Sequence, residues 1–99
     1  MARKAKAIII HEKDNVATAL EPIEKGTTVS VQYRGKTEQI TLPSPIPAGH
    51  KFALCEISAG EYVFKYGEPI GQAVVRIRPG EHVHIHNIES HGKKARGAQ

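Results

Sequence analysis

The chain has one cysteine, no tryptophan and no apolar run longer than four residues, as in "AIII" (7–10). A single thiol, Cys55, excludes an intrachain disulfide framework, and inside "FALCEI" it is expected as a small core residue. Four apolar residues are too few for a signal-peptide core or a membrane span, so a soluble, cytoplasmic protein with no membrane partner is expected. Acids are missing from both ends: Arg3, Lys4 and Lys6 open the chain, and Lys93, Lys94 and Arg96 close it. With those six set aside, residues 8–90 hold eight basic side chains against all ten acids, a net of −2, so the overall +4 is a property of the ends. Nucleic-acid binding needs a basic face with aromatic platforms, and only five aromatics are present; no nucleic-acid partner is expected.

The 99 residues suit one small domain, expected over 7–90 between a disordered basic head (1–6) and a flexible tail or linker (91–99). Its strongest pattern is Ile, two residues, Gly, two residues, then a large apolar residue. The pattern occurs as Ile23-Gly26-Val29, Ile46-Gly49-Phe52, Ile57-Gly60-Val63 and Ile77-Gly80-Val83. The spacing between copies is irregular, which excludes a fixed-period solenoid. Each copy reads as a corner: Ile ends a segment, Gly takes a positive φ, and the apolar residue starts the next strand. Strands are expected over 6–12, 28–33, 37–42, 51–57, 62–66, 72–77 and 82–88. One short helix after Asp14 is suggested by Val16, Leu20 and Ile23, with Pro22 limiting it to about two turns. The fold class is all-β, with at most that one helix.

Chemistry concentrates in "GEHVHIHN" (80–87). On a strand, Val83 and Ile85 would face inward while His82, His84 and His86 share the other face. Residues two apart lie about 6.6 Å apart at Cα, which lets two imidazoles meet one ion at ~2.1 Å bonds. His82 and His86, about 13 Å apart, would not join the same ion. The alternative is a solvated polar sheet face, and spacing alone leaves both open. No Cys pair or acidic cluster accompanies the histidines, so any metal site is incomplete in sequence. His50 and Lys51 follow the second corner, and "KYGEPIG" (65–71) reads as a hairpin-like loop with Gly67 and Gly71 at its bends. His11, Asp14 and Asn15 form a weaker second group. No Ser-His-Asp order, phosphate-binding Gly loop or zinc-finger spacing occurs.

"DNVATAL" (14–20), "IPAGHKFAL" (46–54), "KYGEPIG" and "GEHVHIHN" occur in this order, at comparable spacing, in sugar-acid dehydratases. Over about residues 7–88 the chain resembles the small amino-terminal SAF-type domain of altronate and galactarate dehydratases. It is also similar to the alpha subunit of sulfolactate sulfo-lyase. The resemblance implies a β-clip fold and metal-dependent β-elimination on a hydroxy-carboxylate, with loss of water or sulfite. It implies a divalent metal, iron(II) or manganese, shared with a large catalytic subunit or domain, and an anionic sugar-acid substrate. Homo-oligomerisation is left open. By motif, His84 and His86 are the expected metal ligands or acid/base groups, with His50 as a further catalytic residue. Lys51, Tyr66, Asn87 and Asn15 are the expected substrate-binding residues, and His82 is left outside the core site. The resemblance also implies that the chain alone lacks lyase activity. Two other classes stand beside this one: a non-enzymatic SAF binding module, and a self-contained metal-binding protein.

Overall fold

The computed structural model describes residues 6–90. The expected flexible tail and all but Lys6 of the expected head lie outside them. The described chain is all strand, turn and bridge, as the expected all-β class requires. The strands are β1 (Ala7–Ile8), β2 (Val16–Ala19), β3 (Thr28–Tyr33), β4 (Lys36–Thr41), β5 (Lys51–Ala53), β6 (Tyr62–Lys65), β7 (Glu68–Ala73), β8 (His82–Val83) and β9 (Ile88–Ser90). They form an antiparallel sheet in the order β1-β2-β5-β8, a β3-β4 hairpin, and a β6-β7-β9 sheet. Several small antiparallel sheets joined by sharp corners agree with a SAF-type β-clip.

The corners organise this arrangement. Gly26, Gly49, Gly60 and Gly80 all have φ between 83° and 93°, a region that side chains resist. The four isoleucines before them are almost wholly buried and pair in twos. Ile23 and Ile46 exchange N–H···O bonds of 2.9 Å in both directions, and Ile57 and Ile77 do the same at 2.8 Å. The chain therefore folds as two similar halves, each a hairpin clamped at its base by a pair of corners. Each half has its own core, one built around Phe52, Leu42 and Ile46, the other around Ile57, Val63, Ile77 and Val83. The β3-β4 turn (Arg34–Gly35) and the β6-β7 turn (Tyr66–Gly67) match as well. In both, two residues have φ between 56° and 81°, the conformation of a type I′ hairpin.

The corners differ in what surrounds them. A Cβ at Gly26 would meet nothing within 4 Å, whereas one at Gly80 would lie 2.6 Å from the Thr41 carbonyl oxygen. Gly26→Ala is expected to cost about 1 kcal/mol of backbone strain and Gly80→Ala about 3 kcal/mol. Urea unfolding of both variants checks this, and equal losses would contradict it.

Three expectations on local structure are corrected. The segment after Asp14 is strand β2, not a helix. It sits between β1 and β5 with both edges hydrogen-bonded and Val16, Ala17 and Ala19 all buried. A strand covered on both faces loses the polar alternation that separates strand from helix in sequence. "KYGEPIG" forms the expected hairpin, but it bends at Tyr66–Gly67 and Gly71 lies inside β7 instead of at a bend. Pro69 lies beside a register shift and outside the stretch of β7 paired with β9, so its missing N–H breaks no ladder bond there. Finally, the strand expected over 82–88 ends at Val83, turns through 84–87 and resumes at Ile88. Ile85, expected inside, is 83% exposed.

Candidate active site

Two equivalent corners bring the histidines together. Gly49 leads into His50 and β5; Gly80 leads into His82 and β8. β5 and β8 are paired with Phe52 opposite His82 and Lys51 opposite Val83. Continued one step, that register sets His50 against His84, and their ring centroids lie 4.6 Å apart. His50 Nδ1 and His82 Nε2 are 2.9 Å apart, a hydrogen bond in which one ring donates and the other accepts. The nitrogens of His50, His82 and His84 all lie within 4.8 Å of one another. His86 is exposed and stands outside this trio, its ring tilted against that of His82 at 5.6 Å.

The turn that presents His84 is held by Asn87, which is buried. Its Nδ2 donates to the His82 carbonyl at 2.8 Å and its Oδ1 accepts from the His84 N–H at 2.9 Å. Both ends of the amide are thus engaged by the backbone of the two histidines, so Asn87 sets their spacing. Asn15 is engaged in a similar way. It donates to the Tyr62 carbonyl at 3.0 Å and accepts from the Phe64 N–H at 2.8 Å, fixing β6 beside the start of β2. Lys51 is half-buried on β5. Tyr66 is exposed at the β6-β7 turn, with the Lys65 ammonium 5.1 Å from its ring centre. Cys55 packs half-buried against the first core.

Crowding of like groups shapes the electrostatics. Burial, then His50, His84, His86 and Lys51, holds the His82 imidazole below its ordinary range. His84 is lowered too, by burial first and then by His50, Lys51 and His86. Both rings thus resist protonation in the folded state more than in the unfolded chain, whose histidines titrate near 6.5. Stability from this source is fully present above about pH 6.5 and is lost as pH falls through the lower folded-state values. The metal-free chain is expected to show a lower urea midpoint at pH 5.5 than at pH 7.5, with a smaller drop in His82→Gln. An equal drop in both proteins would contradict the assignment.

The trio is compatible with a metal ion. Two nitrogens bound to one metal at ~2.1 Å lie roughly 3.0–3.4 Å apart, close to the His50–His82 separation. Imidazole donors suit iron and zinc better than the hard oxygen-seeking ions. A cavity of about 520 Å³ opens beside His82 and His86 and reaches Ser44, Val75 and Arg76. That is room for a small acid.

Comparison with known proteins decides the lineage. The family model described as altronate/galactarate dehydratase SAF domain matches residues 5–91. The chain belongs to this SAF-domain family. Altronate dehydratase of Escherichia coli (strain K12) is 47% identical over 83 residues, covering 84% of this chain and 16% of that enzyme. The (2R)-sulfolactate sulfo-lyase subunit alpha of Chromohalobacter salexigens is 35% identical over 86 residues, covering 83% of this chain and 92% of that subunit. Galactarate dehydratase (L-threo-forming) of E. coli is 37% identical over 73 residues, or 13% of its length. The SAF domain is thus a small part of the dehydratases it matches and nearly all of a lyase subunit.

The resemblance left His82 outside the core site because its position varies within the family motif, whereas the structure sets its ring against that of His50. The signal that finds His82 is the corner repeat. Two Ile-x-x-Gly corners that feed neighbouring strands, each with a histidine within two residues of its Gly, bring those histidines together. Asp14 was placed in a weak second group, and its actual role depends on a contact 52 residues away that no local pattern reveals.

Proposed function

We propose that this SAF domain supplies the histidine half of a composite, metal-dependent lyase site that eliminates water from a hydroxy-carboxylate of the sugar-acid type. The observation that carries the reading is the convergence of three imidazoles with no carboxylate or thiol among the described residues to complete the set. His50, His82 and His84 hold a divalent ion, iron(II) in preference to manganese on the donor chemistry. When bound, the metal polarises the substrate carboxylate and makes the neighbouring C–H easier to deprotonate. The protein's own groups do the rest. Asn87 fixes the spacing of His82 and His84. Lys51 attracts the anionic substrate, and Tyr66 lines the rim. His86, which the motif pairs with His84, stands at the mouth of the cleft as a proton carrier. Asn15 acts through the backbone it fixes.

The remaining ligands and the base come from a large catalytic partner, as a separate subunit or a further part of a longer protein. Exposed apolar side chains next to the histidines support this. Ile85 lies between His84 and His86, and Val74 and Val75 are about half exposed on the segment bonded to Asn87. A large partner seated there would cover them and keep bulk water from the site. A second reading, loss of sulfite from a sulfonated hydroxy-acid, is favoured by the near-complete coverage of the sulfo-lyase alpha subunit. Assays of the chain alone and with a large dehydratase or sulfo-lyase chain, on altronate, galactarate and sulfolactate, test both. Turnover is expected only with the large partner, and the productive substrate selects between the readings. Turnover by the isolated chain would overturn the composite site.

A further inference from the structure

The cavity that opens beside His82 and His86 is lined by one guanidinium group, that of Arg76, and by no lysine. The Ser44 hydroxyl and the Glu81 carboxylate belong to the same lining. Glu81 is accounted for by its own corner, where its Oε1 accepts the Arg78 N–H at 2.8 Å. Glu61 does the same for the Ser58 N–H, also at 2.8 Å, in a corner that carries no histidine. A carboxylate at this place therefore serves the turn, with or without a ligand in the cavity.

Arg76 has no such account. It stands directly before Ile77, and the residues in the same place before Ile23, Ile46 and Ile57 are Pro22, Pro45 and Glu56. The corner itself thus does not call for an arginine. Arg76 Nε lies 3.0 Å from Glu56 Oε2, with the two side chains 57% and 48% exposed. An ion pair so open to water contributes little to stability. Among the described residues Glu56 is the one charged partner of this guanidinium. The contact is made at Nε, which leaves the Nη donors for a further acceptor. Glu56 steadies the side chain, and a planar guanidinium pairs with a carboxylate through two parallel N–H donors.

We propose that Arg76 is the carboxylate-binding group of this cavity, with Ser44 as a second hydrogen-bonding group. A ligand held there places a carboxylate on Arg76 and extends its hydroxylated remainder along the lining that His82 and His86 share. The cavity thereby selects hydroxy-acids over neutral polyols of the same length, and Arg76 is the residue that decides between them. Assigning this ligand to a lyase reaction rests on the function proposed above; the binding of a hydroxy-acid does not.

NMR titration of the 15N-labelled, metal-free full chain tests it, with tartrate or threitol added at constant ionic strength to hold screening fixed. Saturable shifts at the amides of Ser44, Arg76 and Asn87 are expected with tartrate and not with threitol. Tartrate affinity is expected to fall at least about fivefold in Arg76→Gln, the scale of one hydrogen bond to a charged group. It is expected to persist in Glu56→Gln, which breaks the ion pair and keeps the guanidinium, and in Arg78→Gln. Arg76→Met repeats the test should the glutamine variant fold poorly. A linear response, equal binding of threitol, unchanged affinity in Arg76→Gln and Arg76→Met, or an equal loss in Glu56→Gln would overturn the assignment. Saturable tartrate binding that depends on Arg76, with no lyase turnover in any assembly, would uphold the site while removing the lyase reading.

Discussion

Changing His82 and His84 together to alanine is expected to abolish lyase turnover in the assembled enzyme while leaving the domain folded and able to associate. Both rings sit at the surface end of β8 and its following turn, and neither belongs to a core cluster. Their loss therefore removes chemistry more than packing. Two of three converging nitrogens disappear, and the fall should exceed the ~100-fold typical of losing an outer-shell partner of a metal ligand. His86→Ala should cost less, because its ring stands outside the trio and acts on protons alone; about 10²-fold is the expected scale. The pattern is read by measuring kcat and KM for each variant in the presence of the large partner. A double variant within tenfold of wild type would remove the histidines from the site.

The largest expected effect on stability comes from Asp14→Ala. The Asp14 carboxylate is 1% exposed and accepts three backbone N–H groups, from His11 at 3.1 Å, Tyr66 at 3.1 Å and Gly67 at 2.8 Å. Alanine leaves those donors without partners in a buried place, at roughly 1–3 kcal/mol each and less than additive. A loss on the order of 4 kcal/mol is expected, a large part of the stability of so small a domain. It should be accompanied by faster amide exchange at Tyr66 and Gly67, since the left-handed turn is what the carboxylate holds. Exposed Glu12→Ala, two residues away, should change stability by no more than about 0.5 kcal/mol. A loss below about 1 kcal/mol for Asp14→Ala, with exchange at Tyr66 and Gly67 unchanged, would contradict this role.

These two variants also mark what could be read from the sequence. The corners were legible because a positive φ and a buried Ile leave a chemical signature at fixed spacing, and all four Ile-x-x-Gly copies turn as that signature requires. The β3 strand was legible for a related reason: Val29, Val31 and Tyr33 alternate cleanly with exposed partners. β2 was misread because burial on both faces removes alternation, and its Val16-x-x-x-Leu20 spacing imitates a helix. The histidine motif gave the chemistry but not the geometry. Alternation in "HVHIHN" implied a continuous strand, whereas Asn87 folds the segment back by bonding to the backbone of His82 and His84. That exposes Ile85 and turns His86 away from the others. Pairing between β5 and β8, which decides that His50 joins the cluster, is a tertiary fact fixed by register rather than by any local pattern. Asp14 likewise stood only before an expected helix, whereas its carboxylate accepts backbone N–H groups from His11 and from the Tyr66–Gly67 turn distant in sequence.

The central claim is that the histidine trio is half of a metal site completed by a large partner. Titration of Mn2+, used as a paramagnetic stand-in for the native ion and followed by EPR, tests it on the isolated chain, the large partner and their complex. Tight binding in the complex alone, lost in the complex carrying His82→Ala and His84→Ala, is the result this account predicts. Equally tight binding by the large partner without the chain, or by the complex with the double variant, would contradict it.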